Sequence, residues 1–178
     1  QSQYTLKLIE PFKNNIRINS PVDKIIRKNE GIEVVFNKQQ KELYDRVIIA
    51  THSDQALKMI ENPSHEEREI LNAIPYQTNV AHLHWDCSVL PKQKKAWASW
   101  NYFKPNKLKD ETTVTYYMNM LQSLNIPRNI CVSLNIEEHI DPKKIYKKII
   151  YQHPVFTSQA ILAQKKHKEI DGIAFNIS

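Results

Sequence analysis

Residues 43–60 read LYDRVIIATHSDQALKMI, and the folding of this stretch decides the architecture of the chain. Its centre is a short apolar run, Val47, Ile48, Ile49 and Ala50, entered through Asp45 and Arg46 and left through Thr51, His52, Ser53 and Asp54. So short a run, rich in β-branched residues, predicts a strand buried on both faces, as in a parallel sheet with helices on either side. A helix is expected at once, with Ser53 as N-cap and Ala56, Leu57 and Ile60 at helical spacing. Ligands of open α/β sheets bind at the carboxyl ends of strands, so residues 50–53 would lie where a nucleotide can rest on the backbone.

Upstream, residues 4–12 are weakly amphipathic, Ile16 and Ile18 alternate with polar residues, and Ser20 with Pro21 makes a break. Residues 22–27, 32–37 and 41–44 then read as three short strands, with Asn29, Glu30 and Gly31 turning between the first two. This is an antiparallel meander that feeds the apolar run. Downstream, Ser64 with Glu67 forms a capping box and opens a helix to about Ala73, which Pro75 stops. Residues 78–87 alternate as a strand, with Val80, His82, His84 and Asp86 on one face. Two histidines and an aspartate in that pattern suit zinc or iron, but one strand rarely supplies a whole site, so a polar or cavity-lining face is the expectation.

Residues 96–103, AWASWNYF, gather two tryptophans, a tyrosine and a phenylalanine around Asn101. As a strand they place Trp97, Ser99 and Asn101 on one side and Trp100 and Tyr102 on the other; such aromatics suit a core or the lining of a cavity for a flat substrate. Residues 104–110 read as a charged loop. Residues 112–118 are the next strand, with Tyr116 and Met118 on one face and Asn119 just past its end, and residues 130–134 are another. In the tail, Asp141 and Pro142 predict a helix through PKKIYKKIIYQ, with Ile145, Ile149 and Ile150 as its buried stripe. Thr157 caps a second helix through Ile161 and Leu162 to about His167.

With 178 residues the chain suits one domain or two small ones, and 41% hydrophobic residues are ordinary for a soluble protein. No apolar run reaches the roughly 20 residues a membrane span needs, and no signal-peptide pattern opens the chain, so a cytoplasmic protein is expected. Cys87 and Cys131 are the only cysteines; without a CxxC pair they read as reduced, part-buried residues and not as metal ligands. The net charge of +6 is spread along the chain, with Lys143, Lys144, Lys147 and Lys148, then Lys165, Lys166 and Lys168, expected on solvated helix faces. These stretches lack interleaved aromatics, which argues against specific nucleic-acid binding. Gly31 and Gly172, the two glycines, stand too far apart for a glycine-rich phosphate loop, and the expectation is an internal fragment of a longer protein.

The succession SPVDKIIRKNEGIEVVF then LYDRVIIATHSDQALKMI resembles the flavin-containing amine oxidase superfamily, and IPYQTNVAHLHWD, AWASWNYF, VTYYMNMLQSL and IYQHPVF are similar to its bacterial branch of FAD-dependent oxidoreductases. The resemblance implies an α/β fold of α+β character: a mixed-sheet substrate-binding domain with flanking helices, plus a β-meander and strand belonging to an FAD-binding domain. It divides the chain into residues 1–62 (partial FAD-binding domain), 63–172 (substrate-binding domain) and 173–178 (a return strand). It further implies FAD as cofactor of the parent protein, approached by Val22, Ala50 and Thr51, and a small-molecule substrate met by Trp100, Asn101, Tyr116 and Asn119. Its implied partners are the N- and C-terminal FAD-domain segments. Residues 77–80 lack the lysine that amine oxidases of the superfamily tend to carry there, so the resemblance implies flavin-dependent oxidation without specifying amines. The alternative reading is a non-catalytic interaction module on the same scaffold that binds an acidic partner through its lysines.

Overall fold

The alternation that begins at Val22 builds the expected meander: β1 (Val22–Lys28), β2 (Gly31–Phe36) and β3 (Gln40–Tyr44) pair antiparallel in that order. Gly31 is required at the first turn, because its φ of 151° is unfavourable for other residues and a Cβ there would stand 2.7 Å from the Tyr44 carbonyl oxygen. The second turn holds Asn37 and Lys38 at positive φ, and the Asp23 carboxylate accepts the Lys38 N–H at 2.6 Å. Described in this computed structural model are residues 2–102 and 113–170. They divide into two units, one of residues 1–75 with the chain from 156 onward, the other of residues 76–155. The expected loop at 104–110, Phe103 and the return strand at 173–178 lie outside the described residues.

In the first unit, α1 (Ser2–Ile9) leads through a 3-10 turn (Glu10–Asn15) to the meander, and α2 (Ser53–Met59) and α3 (His65–Asn72) follow it. The core gathers Ile25, Ile32, Val34, Val35 and Phe36 from the sheet with Ala56 of α2 and Ile70 of α3. The chain leaving α2 docks on the sheet edge through a parallel bridge, Ile60 to Ile25, where the Glu61 N–H meets the Ile25 carbonyl at 2.9 Å. The capping box forms as read: the Ser64 hydroxyl accepts the Glu67 N–H at 3.1 Å and the Glu67 carboxylate accepts the Ser64 N–H at 2.7 Å. Thr157 caps α5 (Ser158–Lys165), whose hydroxyl takes the Ala160 N–H at 3.1 Å. Its buried residues are Ala160 and Ala163, while Ile161 and Leu162 face outward. The short α6 (His167–Ile170) follows.

Two expectations here are corrected. Residues 46–50 form neither strand nor helix, and Ile48 is 92% exposed. A strand is made by the N–H and C=O groups of a neighbour, and no described strand pairs with this run. The N-cap position of α2 is taken by His52, not Ser53, which is the first helical residue.

The second unit is a five-stranded sheet of β4 (Tyr76–His84), β5 (Trp100–Tyr102), β6 (Val114–Tyr117), β7 (Cys131–Leu134) and β8 (Ile145–Pro154), ordered β5-β6-β7-β4-β8 and antiparallel at every pairing. A short helix, α4 (Met118–Leu121), follows β6. The expected helix after Pro142 is a second correction of type: residues 142–144 make a single 3-10 turn, with the Asp141 carboxylate accepting the Lys143 N–H at 3.0 Å, and the rest is β8. A four-residue spacing such as that of Ile145 and Ile149 fits one face of a helix and equally of a regular strand, although an irregularity in β8 turns Ile145 to the His84 side and Ile149 to the Ala81 side. Pairing with β4 from His84–Ile145 to Tyr76–Pro154 decides for the strand. The lysines of this segment therefore do not line a helix; Lys144 reaches Asp86 at 3.1 Å and Lys148 reaches Glu137 at 2.6 Å.

Register fixes the two faces of this sheet. Residues opposite one another share a face, so Asn101, Thr115, Ser133 and His82 form one row and Trp100, Tyr116, Val132 and Leu83 a row on the other side. The first row is buried, along with His84 and Cys131, beneath a cover that includes Val89, Ile136 and Ile140. Thr115, Ser133 and His84 are joined: His84 Nε2 and Thr115 Oγ1 each lie 2.7 Å from Ser133 Oγ. His84 Nδ1 accepts the Asp86 N–H at 3.1 Å, which assigns the imidazole proton to Nε2. His82 is also fully buried; its ring nitrogens make no hydrogen bond, and Nε2 stands 3.5 Å from Glu137 Oε2.

Two predictions follow from these contacts. Glu67, buried, closes the capping box and pairs with Arg27, so Glu67→Ala strands an unpaired guanidinium and should cost about 2–4 kcal/mol in urea denaturation. Burial holds the His84 imidazole down to about 4 from its ordinary 6.5, with the Asp86 charge opposing the shift. Between those values the unfolded chain binds the proton and the folded one does not, so stability is full above pH 6.5 and is lost as pH falls toward about 4. Burial pushes the Asp86 carboxyl up, but the Asp141 and Ser88 N–H groups and Lys144 outweigh it and hold the group at about 2, which extends the loss below pH 3.8. Urea midpoints measured from neutral pH downward should show the first loss in the wild type and its absence in His84→Gln.

Candidate functional site

The five-stranded sheet buries its polar side and leaves its apolar side open. Along that face run Trp100, Tyr116, Val132 and Leu83, then Tyr102, Val114, Leu134 and Ile149, with Ala81 buried between the last two. Trp100 is 64% and Tyr102 69% exposed. The Trp100 and Tyr116 rings meet edge to face, with centroids 5.2 Å apart and planes at 70°. Contiguous exposed apolar surface of this kind marks a place where something binds, and paired aromatic rings offer π-faces to a flat or apolar ligand. The cation in the first of these rows is Lys147, opposite Leu83.

Of the four residues expected on the substrate side, the register brings Trp100 and Tyr116 together and sets Asn101 on the reverse face. There the Asn101 amide accepts the Ala98 N–H at 3.1 Å and donates to the Ala98 and Thr115 carbonyls at 2.7 and 3.3 Å. Asn119 lies in α4, where its Oδ1 takes the Ile130 N–H at 2.7 Å and its Nδ2 donates to the Arg128 carbonyl at 3.0 Å, fastening the loop that leads into β7. Both amides hold backbone. Trp97, on the buried side, donates its indole N–H to the Pro91 carbonyl at 2.8 Å and packs edge-on against Tyr117 at 5.1 Å. Of the two histidines and the aspartate weighed as metal ligands, His84 and Asp86 spend their polar atoms on Ser133, Ser88, Asp141 and Lys144.

Sequence reading passed over one grouping. The His84, Ser133 and Thr115 chain is half visible in the alternation of residues 80–86, but its partners come from strands whose register no local pattern reveals.

The first unit carries a separate cleft of about 570 Å³, lined by Val22, Val34 and Phe36 along with Arg17, Ser20, Glu42 and Tyr44. Arg17 Nη1 meets Glu42 Oε1 at 2.7 Å, the Tyr44 hydroxyl donates to the other carboxylate oxygen, and the guanidinium stacks over the Phe36 ring at 5.3 Å. The hydrogen bonds from Arg17 and Tyr44 hold the Glu42 carboxyl below its usual range, and the same bonds raise Arg17 and Tyr44. Glu42 is therefore a fixed anion at the cleft wall. Ala50 and Thr51 are exposed in the extended segment before α2, with the Thr51 hydroxyl donating to the His52 carbonyl at 3.2 Å.

Comparison with solved structures finds this fold in proteins of low sequence identity. The CLA-producing fatty acid isomerase from P. acnes matches with a TM-score of 0.51 at 13% identity, over 87% of this chain and 40% of that one. A single-substitution variant of putrescine oxidase, made to redesign its cofactor binding, matches with a TM-score of 0.52 at 12% identity, over 74% of this chain and 28% of the other. The chain thus spans well under half the length of either. No curated protein matches it. The sequence model described as flavin containing amine oxidoreductase matches residues 5–138, which is well over half of the chain. Those residues run from the meander and its cleft into the sheet with the open aromatic face, and the chain belongs to the flavin-containing amine oxidoreductase family.

Proposed function

We propose that this chain is the central part of an FAD-dependent oxidoreductase, in which the five-stranded sheet walls the substrate chamber and the meander unit contributes to holding FAD. The observation that carries the reading is the inverted sheet. An antiparallel sheet with one open face ordinarily turns polar residues to water, whereas here Trp100, Tyr102, Tyr116, Val132 and Leu134 occupy the open side. In the complete enzyme that face excludes water and orients an apolar or flat substrate, with the Trp100–Tyr116 pair as its principal contact. Asn101 and Asn119 act through the backbone they hold, which fixes the strands that present the two rings.

The cleft beside Val22 fits the adenine and ribose end of FAD. Its Val22, Val34 and Phe36 floor suits a flat heteroaromatic ring, and Glu42 and Ser20 can accept hydrogen bonds from ribose hydroxyls, a carboxylate having sites beyond those Arg17 and Tyr44 fill. It does not suit the pyrophosphate, because Arg17 is already neutralised by Glu42. Ala50 and Thr51 would approach the dinucleotide through the backbone of the extended segment, whose unpaired residues 47–50 gain strand partners in the complete FAD domain. When bound, the flavin supplies the hydride acceptor.

The test uses the complete parent protein. It should purify with stoichiometric flavin absorbance, and Trp100→Ala should raise KM for its substrate about tenfold with flavin content unchanged, the signature of lost ground-state binding. A parent protein without flavin, or unchanged KM in both Trp100→Ala and Tyr116→Ala, would remove the proposal.

A further inference from the structure

The open face of the five-stranded sheet has a charged end. Past the last residue of β4 the ladder continues, the Trp85 N–H donating to the Lys144 carbonyl at 3.1 Å. Strand alternation sets Trp85 on the side of Leu83, away from the buried His84 and Asp86. Its ring is 38% exposed, and two cations lie over it, the Arg128 guanidinium at 5.7 Å and the Lys144 ammonium at 5.6 Å.

These cations differ in what surrounds them. Lys144 is neutralised by the Asp86 carboxylate at 3.1 Å. Arg128 donates from Nη1 to the Tyr146 hydroxyl at 3.0 Å, and no carboxylate pairs with it among the described residues. Its backbone is held in place, because Asn119 Nδ2 donates to the Arg128 carbonyl at 3.0 Å. Lys147, opposite Leu83, is exposed and likewise has no acidic partner among the described residues. The nearby acidic groups are already engaged, Asp86 by Lys144 and the Asp141 N–H, and Glu137 by Lys148.

We propose that the molecule received by the open face carries a carboxylate, bound by Arg128 beside Tyr146, while its apolar body extends over Leu83 and Val132 toward the Trp100–Tyr116 pair. This rests on the reading of that face as the wall of the substrate chamber and adds the charge of the substrate. A guanidinium offers a planar fork that matches a carboxylate, and Tyr146 uses only one of its N–H groups. The Trp85 ring shields one side of the pair from water. Lys147 adds attraction for the same charge, and an ammonium head would be repelled by both cations. Three strand spacings of about 4.8 Å separate β5 from β4, so the aromatic pair and the cationic end stand roughly 14 Å apart at most across the strands.

The experiment is equilibrium dialysis of the 178-residue chain against three probes that share one flat body: 1-pyrenebutyrate, 1-pyrenebutanol and 1-pyrenebutylamine. The acid should bind about tenfold more tightly than the alcohol, and the amine most weakly. Added salt should narrow that preference, because exposed charges are screened. Arg128→Met should bring the acid to the level of the alcohol, Lys147→Met should do so only in part, and Trp100→Ala should weaken all three together. Equal binding of acid and alcohol, tightest binding of the amine, no binding of any probe, or an acid preference that survives Arg128→Met would each overturn the proposal. The wild-type ranking decides this whether or not the variants fold. A parent protein without flavin removes the reading of the chamber and leaves the acid preference standing, whereas a flavin-bearing parent with equal probe binding removes the carboxylate alone.

Discussion

The hydrogen bonds that unite Thr115, Ser133 and His84 within the second unit are what the rest of that unit depends on. Three polar side chains from three adjacent strands are buried where water cannot reach them, a placement that costs free energy unless every group finds a partner. Each does: two contacts of 2.7 Å converge on the Ser133 hydroxyl, and the Asp86 N–H completes the imidazole. A satisfied polar seam of this kind admits one register, since a slip by one residue would carry His84 and Ser133 to the open face and bring Leu83 and Val132 inside. The seam therefore determines which side of the sheet is aromatic. Asn101 extends it into β5, where its amide binds both the N–H and the carbonyl of Ala98 just before the strand.

The consequence for function lies in what is left outward. With Thr115, Ser133 and His84 bound to one another on the inner side, the open face is built from Trp100, Tyr116, Tyr102 and aliphatic residues. The meander unit follows a different logic. Its apolar residues are turned inward in the ordinary way, and its distinctive feature is a fixed charge pair, Arg17 with Glu42, at the wall of a cleft with an apolar floor.

Where the sequence reading went astray, the same physics explains it. Residues 47–50 have the composition of a buried strand, yet composition cannot supply the neighbouring backbone that a strand requires, and Ile48 stands in solvent. Residues 145–152 carry isoleucines at a spacing that helix and strand share, and nine residue pairs with β4 overruled a good helix start at Asp141 and Pro142. Asn101 and Asn119 are both expected on the substrate side. The structure binds them to backbone amides and carbonyls separated from them in sequence by up to 14 residues.

The sequence by itself determined the local elements whose cause lies within a few residues: the three-stranded meander with its glycine turn, the capping box at Ser64 and Glu67, the Thr157 cap, and the adjacency of aromatic residues around position 100. It also carried the family resemblance, because that resides in words of sequence. Only the tertiary structure decided the strand order β5-β6-β7-β4-β8, the burial of the polar row, and the separation of Trp100 from Asn101 onto opposite faces. The physical reason is that local propensity acts through neighbours in the chain, whereas a sheet's faces are assigned by hydrogen-bond register between segments distant in sequence, and that register is set by the buried contacts of the whole unit at once.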